Sequence, residues 1–150
     1  MTEVWKPSVT VAAVMERSSR FCLVEEEIDG RLVYNQPSGH WERGETLTDA
    51  CVREALEETA HRFRPTHLLG VYSWHYAPRD VTFLRFTFMG EVLGEEVGRA
   101  LDDQIRRVLW LTPDEIRGIG SAHRSPLVLA CVEHFLAGRR YPLDSLSHYA

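Results

Sequence analysis

Residues 39–61 constrain the chain most, because they join a glycine-containing loop to a helix whose core-facing stripe turns acidic. At about 100° per residue, one arc of this helix contains both apolar and anionic positions. The arc carries Leu47, Ala50, Cys51 and Ala55, then Glu54 and Glu58, with Glu57 at its edge. Carboxylates at this spacing repel one another, and the helix dipole disfavours negative charge near a C-terminus. A compensating cation is therefore expected.

The nature of the cluster indicates which cation would suit it. Arg53 supplies one positive charge, which is too little for Glu54, Glu57 and Glu58. Oxygen ligands grouped in this way suit a hard divalent ion, so we predict a Mg²⁺ site, with Mn²⁺ as an alternative. The competing interpretation is a solvated acidic helix face, which is common for adjacent glutamates.

The spacing of the charged residues resembles the Nudix box, Gly-x5-Glu-x7-Arg-Glu-U-x-Glu-Glu-x-Gly-U, where U is aliphatic. The chain fills the glycine and charged positions with Gly39, Glu45, Arg53, Glu54, Glu57 and Glu58. Two closing positions differ, because Ala60 replaces a glycine and His61 replaces an aliphatic residue. A glycine there usually supplies the left-handed residue that ends the helix. We therefore expect a helix that ends differently, with the site retained.

The resemblance implies an α/β fold, the Nudix α/β/α sandwich, with a mixed β-sheet between helices in a single domain over residues 1–150. The box helix would cover one face and the C-terminal helix the other. It also implies Mg²⁺-dependent hydrolysis of phosphoanhydride bonds in small organic di- and triphosphates. The implied metal ligands are the Gly39 carbonyl, Glu54, Glu57 and Glu58. One glutamate would serve as or adjoin the general base, while Glu45 and Arg53 orient the others.

Segments outside the box resemble the NudJ-type phosphatases of this family, among them residues 35–37 and 83–86 and the two ends of the last helix. This likeness implies release of orthophosphate from nucleoside tri- and diphosphates and from the hydroxymethylpyrimidine diphosphate of thiamine metabolism. One alternative is a nucleotide-sugar or dinucleotide pyrophosphohydrolase. Another is a non-catalytic Nudix module that binds a nucleotide.

Composition narrows the classes of partner and location. The chain has 150 residues with 44% hydrophobic content, enough for one domain with a sizeable core. A net charge of −5 without a concentrated basic patch argues against nucleic-acid binding. No run approaches a membrane span and no signal pattern opens the chain. We expect a cytoplasmic enzyme, monomer or homodimer, with reduced, half-buried cysteines at Cys22, Cys51 and Cys131.

Candidate substrate contacts lie on two aromatic-rich strands predicted at residues 68–77 and 81–92, after a connection at residues 62–66. Alternation places Arg85 in a strand interior among apolar neighbours, where a guanidinium needs an anionic partner. That partner is either a structural carboxylate or a substrate phosphate. Trp74 and Tyr76 are either core aromatics or a stacking wall, with core packing favoured for Trp74. Gln36, in the loop before the box, is a further candidate contact.

The remaining segments carry weaker signals. Residues 8–15 and 20–26 are predicted to pair as a hairpin, and the three glutamates at 25–27 to end a strand at solvent. The polar stretch 94–103 offers one further metal ligand or base among Glu95, Glu96, Asp102 and Asp103. Thr46, three residues before Asp49, is predicted to cap the start of the box helix. Further helices are predicted to begin near Pro113 and Pro126, and the second of these to end at Gly138.

Overall fold

Two β-sheets form the centre of the protein, and helices cover them. The computed structural model describes residues 2–150. Its elements are β1 (Ser8–Val14), β2 (Glu16–Arg17), β3 (Arg20–Ile28), β4 (Arg31–Asn35), β5 (Ser38–His40), α1 (Leu47–Thr59), β6 (His61–Tyr76), β7 (Val81–Glu95), β8 (Ile105–Leu111), α2 (Pro113–Ile119), α3 (Leu127–Leu136) and β9 (Tyr141–Pro142). Short 3₁₀ helices lie at Ala77–Arg79, Gly120–Ala122 and Leu143–Ser145.

The larger sheet is mixed, as predicted. Its strand order is β5-β1-β7-β6-β9, and β1 runs parallel to β7 while the other neighbours are antiparallel. The second sheet has four strands, and β3 is its central strand, because β2, β4 and β8 all pair with it. Because β1 and β7 are parallel, the intervening chain must cross over, and the box helix α1 lies on that crossover.

Side-chain alternation along β1 sends successive residues into two different cores. Val11 and Ala13 join the cluster that contains Ala50, Cys51 and Ala55 of α1. Val14 joins the opposite cluster, which contains Val128, Cys131 and Val132 of α3 together with Ile116 of α2. The box helix therefore covers one face and the C-terminal helix the other, so the predicted α/β/α sandwich is confirmed. No helix within residues 2–150 is long and apolar enough to cross a membrane.

The start of helix α1 agrees with the prediction from the sequence, whereas its end does not. The Thr46 side chain accepts a hydrogen bond from the Asp49 amide at 3.1 Å, which caps the first turn. At the other end Ala60 has φ 60° and ψ 13°, the left-handed conformation that a glycine would supply. The expectation of a different helix end was wrong. The Ala60 carbonyl accepts from the Glu96 amide at 2.7 Å, and β6 starts at the next residue, so tertiary contacts hold the alanine there.

Three strand predictions need correction. Residues 62–66 belong to β6, which starts at His61 and accommodates Pro65 at an irregularity in its pairing with β7. Strand β1 does not pair with β3. Instead the short β2 forms the hairpin, across Ser18 and Ser19, whose φ values are both positive. Gly39 lies in β5, where it pairs with Val11, and not in a loop.

Burial also differs from expectation at two places. Glu25 and Glu26 are 5% and 7% exposed, so the three glutamates do not simply end a strand at solvent. All three cysteines are fully buried, and burial raises the pKa of the Cys22 and Cys51 thiols. They are packing residues, as expected, but more deeply enclosed.

Replacing Ala60 by glycine should stabilise the protein by about 0.5–1 kcal/mol. The substitution relieves the left-handed strain of an L-residue, and the entropy that glycine loses on folding offsets part of the gain. Urea unfolding measures the change. Ala137→Gly is the control, because Ala137 ends α3 with an ordinary φ of −74° and should gain nothing. Equal or lower stability for Ala60→Gly would contradict the strain argument.

Candidate functional site

The site begins where α1 crosses β5. The carboxyl group of Glu54 lies directly against the Cα of Gly39, and a Cβ at position 39 would overlap its carbon and both oxygens. Gly39 does not have a positive φ, so close approach is the reason that glycine is needed here. The apolar helix neighbours Cys51 and Ala55 bury the same face of α1 and set its height above the strand.

Arg53 organises the carboxylates around this contact. Its guanidinium forms a two-pronged pair with Glu45, at 3.0 Å from Nε and 2.7 Å from Nη2. It also donates to Glu54 at 2.8 Å, to Glu57 at 3.3 Å and to the His40 carbonyl at 3.0 Å. A planar fork suits this arrangement, because each donor has a fixed direction. One cation thus orients three glutamates.

A compact acidic group lies beside Arg53. Carboxylate oxygens of Glu54, Glu57 and Asp102 lie within 4.8 Å of one another. The Asp102 amide donates to the Glu57 carbonyl at 3.1 Å, which ties the segment between β7 and β8 to the end of α1. Of the four acids that the sequence left open, Asp102 is the one that the structure brings to this group. Glu96 pairs with Arg99 instead.

Glu58 is not one of the three residues in that group, although the charges of Glu54 and Asp102 act on it. Its carboxylate accepts a hydrogen bond from the Ser38 amide at 2.8 Å, and the residue is 2% exposed. Burial raises the pKa of Glu58 to about 9. Burial also raises the pKa of Glu54 to about 7, although Arg53 acts in the opposite direction. Both carboxyl groups are therefore costly to ionise in the absence of a further cation.

The donor set fits a hard divalent cation. Glu54, Glu57 and Asp102 offer oxygen ligands alone, which Mg²⁺ prefers over nitrogen or sulfur. The one neighbouring guanidinium is shared among four carboxylates, counting the 3.8 Å approach of Glu42 and the pair with Glu45. A cation at this group would thus relieve repulsion that Arg53 does not balance.

A cavity of about 410 Å³ adjoins the acidic group. It lies between the two sheets, and Gly39 and Glu58 form part of its wall. Its other charged residues are Glu26, Arg85 and Arg124, and Trp74 and Phe83 supply aromatic surface. The volume suits a small organic ligand.

Arg85 is 4% exposed and lines this cavity, so its predicted place in a strand interior is confirmed. Its Nη2 donates to Gln36 Oε1 at 2.9 Å, and the Gln36 amide in turn donates to the Val128 carbonyl at 2.8 Å. Within residues 2–150 no carboxylate forms an ion pair with Arg85, and its buried Nε has no partner. The structural-carboxylate interpretation thus finds no support, and the guanidinium is left to an external anion or acceptor.

The other predicted substrate contacts differ in burial and in their position relative to the cavity. Trp74 is half-buried on the cavity wall and stacks on Phe83 with ring centroids 5.7 Å apart, so the preference for core packing was wrong. Gln36 is 1% exposed and lies behind Arg85, outside the cavity lining. Tyr76 lines a smaller neighbouring cavity of about 190 Å³, which shares Trp74 and Phe83 with the first.

Sequence reasoning missed two of the charged residues that line the cavity, Glu26 and Arg124. For Glu26 a signal existed, because strand alternation must send Glu26 to the face opposite Glu25 and Glu27. Arg124 lies in the turn before α3, held by its amide to the Tyr34 carbonyl at 2.7 Å. That contact joins distant parts of the chain, so no local pattern could indicate it.

Comparison with known proteins identifies relatives over nearly the whole chain. The family model of the NUDIX domain matches residues 5–130. Phosphatase NudJ of Escherichia coli K12 is 37% identical over 146 residues, covering 97% of this chain and 94% of that protein. The structure of a NUDIX hydrolase from Nitrosomonas europaea is 50% identical with a TM-score of 0.94, covering 96% and 98% of the two chains. A second Nitrosomonas europaea NUDIX hydrolase, 22% identical, shares the fold with a TM-score of 0.74 over 91% and 74%.

Metal-free protein should lose stability as the pH rises. Burial raises the folded-state pKa of Glu54 to about 7 and of Glu58 to about 9 from 4.5, so the folded state binds protons more tightly than the unfolded state. Their contribution to the free energy of unfolding is full below about pH 4.5 and disappears as the pH rises through about 7 and 9. Thermal melts from pH 5 to 9.5 in chelator measure this.

The variant Glu58→Gln should show a smaller fall in melting temperature between pH 7 and 9.5. At pH 9 it should melt at the same or a higher temperature than the wild type. The glutamine can still accept from the Ser38 amide but carries no charge. Glu3→Gln, at an exposed terminal position, is the control and should follow the wild type. A Glu58→Gln protein that melts several degrees lower at pH 9 would favour a structural ion-pair role for this carboxylate.

Proposed function

The chain belongs to the Nudix hydrolase family, and from that premise we propose that it is a Mg²⁺-dependent phosphatase of small organic di- and triphosphates. The observation that carries this proposal is the meeting of Glu54, Glu57 and Asp102 beside a cavity whose buried Arg85 forms no ion pair with a carboxylate of residues 2–150. Hydrolysis of a phosphoanhydride requires an acidic metal-binding site and a cationic side chain that can contact phosphate. Mn²⁺ is expected to substitute for Mg²⁺.

Each residue has a proposed part in the reaction. We assign the metal to Glu54, Glu57 and Glu58 with the Gly39 carbonyl, and add Asp102 on the strength of its position. The bound metal would neutralise phosphate charge and lower the pKa of the attacking water. Arg53, itself held by Glu45, fixes the directions of the Glu54 and Glu57 carboxylates. One of the three box glutamates would accept the proton of the water or adjoin the group that accepts it.

The proposed substrates follow from the similarity to Phosphatase NudJ, whose name describes a phosphatase. We propose nucleoside tri- and diphosphates and hydroxymethylpyrimidine diphosphate, with orthophosphate as a product. The cavity of about 410 Å³ accepts a single base or pyrimidine ring more readily than a dinucleotide. A cytoplasmic location and a monomeric or homodimeric state stay predictions from the sequence.

A substrate panel with Mg²⁺ tests this choice. Nucleoside tri- and diphosphates, hydroxymethylpyrimidine diphosphate, a nucleotide sugar and a dinucleotide are incubated separately, and orthophosphate, pyrophosphate, monophosphate esters and ligand binding are measured. Orthophosphate from the first three supports the phosphatase. Two monophosphate esters from the last two would identify a pyrophosphohydrolase, and binding without turnover would identify a non-catalytic module.

Activity should require a divalent cation, and Glu57→Gln or Glu58→Gln should lower kcat by roughly 10²-fold or more, about 2.7 kcal/mol of barrier. The reason is that each substitution removes one anionic oxygen donor or base. Steady-state kinetics over a Mg²⁺ titration measures it. Glu95→Gln is the matched control, since Glu95 is an exposed acid at the end of β7 and should retain wild-type kcat. Full turnover in excess chelator would refute the metal assignment.

Arg85→Lys should lower kcat/KM while the melting temperature changes little. The lysine keeps the charge but loses the planar fork and the Nε donor, and no ion pair with a structural carboxylate is lost because none is formed. Kinetics and thermal melts of the same preparation decide whether Arg85 contacts the substrate or has a structural role. Arg64→Lys, which alters the surface pair with Glu91 on the same sheet, should change neither quantity. Early melting with wild-type kcat/KM at low temperature would show that Arg85 is structural.

A further inference from the structure

Glu26 differs from the two glutamates beside it. Glu25 accepts hydrogen bonds from Arg107, at 2.7 Å and 3.1 Å, and from Tyr34 at 2.6 Å, and Glu27 pairs with Arg106 at 2.6 Å. Strand alternation sends Glu26 to the opposite face. There it is 7% exposed, lines the cavity and makes no side-chain hydrogen bond or ion pair with any residue from 2 to 150.

The facing wall carries positive charge that forms no ion pair within residues 2–150, although Arg85 donates a hydrogen bond to the neutral Gln36. Arg85 projects from the larger sheet and Glu26 from the smaller one, and Arg124 lies before α3. Neither guanidinium comes within 4.0 Å of a carboxylate oxygen in the part of the chain that the structure describes. Buried charges without partners are costly. Two walls of opposite charge, held apart, therefore suit a ligand that donates hydrogen bonds on one edge and accepts them on another.

Asn35, which lines the same cavity, independently indicates a ligand that forms hydrogen bonds there. Its Nδ2 donates to Ser38 Oγ at 3.1 Å, which leaves Oδ1 as an acceptor, and this buried Oδ1 has no partner. The unsatisfied Arg85 Nε is a donor. Since residues 2–150 contain no other buried side-chain polar atom without a partner, the two orphaned atoms coincide in one cavity and have complementary character. A ligand that satisfies both offers an N–H group and an acceptor.

The remaining wall indicates the shape of that ligand. Trp74 and Phe83 stack with an interplanar angle of 17° and present an aromatic surface to the cavity. A flat heteroaromatic ring can lie against such a surface. Glu26 lies within electrostatic range of the cations Arg124 and Arg85 and of the acid Glu58. The two guanidinium groups make a further cation beside Glu26 less favourable than a neutral ring that donates hydrogen bonds.

We propose that Glu26 determines substrate specificity by accepting a hydrogen bond from the exocyclic amine of a heteroaromatic head group. Asn35 Oδ1 assists as a second acceptor, while Arg85 stays available to the substrate phosphate. The proposal rests on the proposed function, in that the head group belongs to the phosphoanhydride substrate. It predicts a preference for amino over oxo rings of the same size, because an oxo group facing two acceptors leaves them unsatisfied.

The test compares kcat/KM for CTP with UTP and for ATP with ITP, pairs that exchange an amine for an oxo group. Wild-type protein should favour the amine in each pair by roughly 10-fold or more. Glu26→Gln should bring both ratios close to one, since an amide can donate to an oxo group as well as accept from an amine. Glu27→Gln is the control, because Glu27 is an exposed neighbour that faces away from the cavity, and it should keep the wild-type ratios.

Wild-type ratios near one, or unchanged ratios in Glu26→Gln, overturn the proposal. A Glu26→Gln protein in which kcat falls equally for all four substrates also overturns it, and would place Glu26 among the metal or proton-transfer groups. If the wild type hydrolyses none of the four, the proposed function fails for these compounds. The specificity proposal is then decided by calorimetric dissociation constants for CDP and UDP, whose ratio must again be roughly 10-fold in the wild type and near one in Glu26→Gln.

Discussion

The contact between the Glu54 carboxylate and the bare Cα of Gly39 is the constraint on which the site depends. Strand β5 is fixed by its pairing with β1, and α1 is fixed by the apolar residues that it buries on the same sheet. Their separation leaves room for a carboxylate and for no additional carbon at position 39. Any side chain there would force the helix or the strand to move, and interiors packed at this density resist such movement. A glycine at the start of the box is thus a packing requirement.

Charge balance explains why the surrounding groups are so heavily bonded. Arg53 meets four carboxylates, and the Ser38 amide satisfies Glu58, yet burial still raises the pKa of both Glu54 and Glu58. An arrangement of this kind is unfavourable for the folded protein alone and becomes favourable when a cation is bound. Strain at a functional site of this sort is a common compromise between stability and activity.

The cavity also contains a buried charge that the protein does not neutralise, in this case the positive charge of Arg85. Gln36 joins α3 to Arg85 through two hydrogen bonds and so holds the guanidinium in place without neutralising it. A carboxylate at position 36 would have paired with the arginine and removed its charge from the cavity. The neutral amide thus positions a cation while preserving it for an external partner. The acidic group and the cavity adjoin at Gly39, because Glu54 lies against Gly39 and Gly39 lines the cavity.

The sequence by itself determined features that depend on local periodicity. The acidic arc of α1, its Thr46 cap and the strand interior around Arg85 follow from spacing along one element, and each lies where the pattern predicts. Tertiary structure decided what depends on distant segments meeting. Asp102 reaches the acidic group through the segment after β7, contacts with that segment hold Ala60 left-handed, and Glu26 faces Arg85 because two sheets pack together. Periodicity fixes the face on which a side chain lies, whereas the identity of its partner is set by the packing of the whole chain.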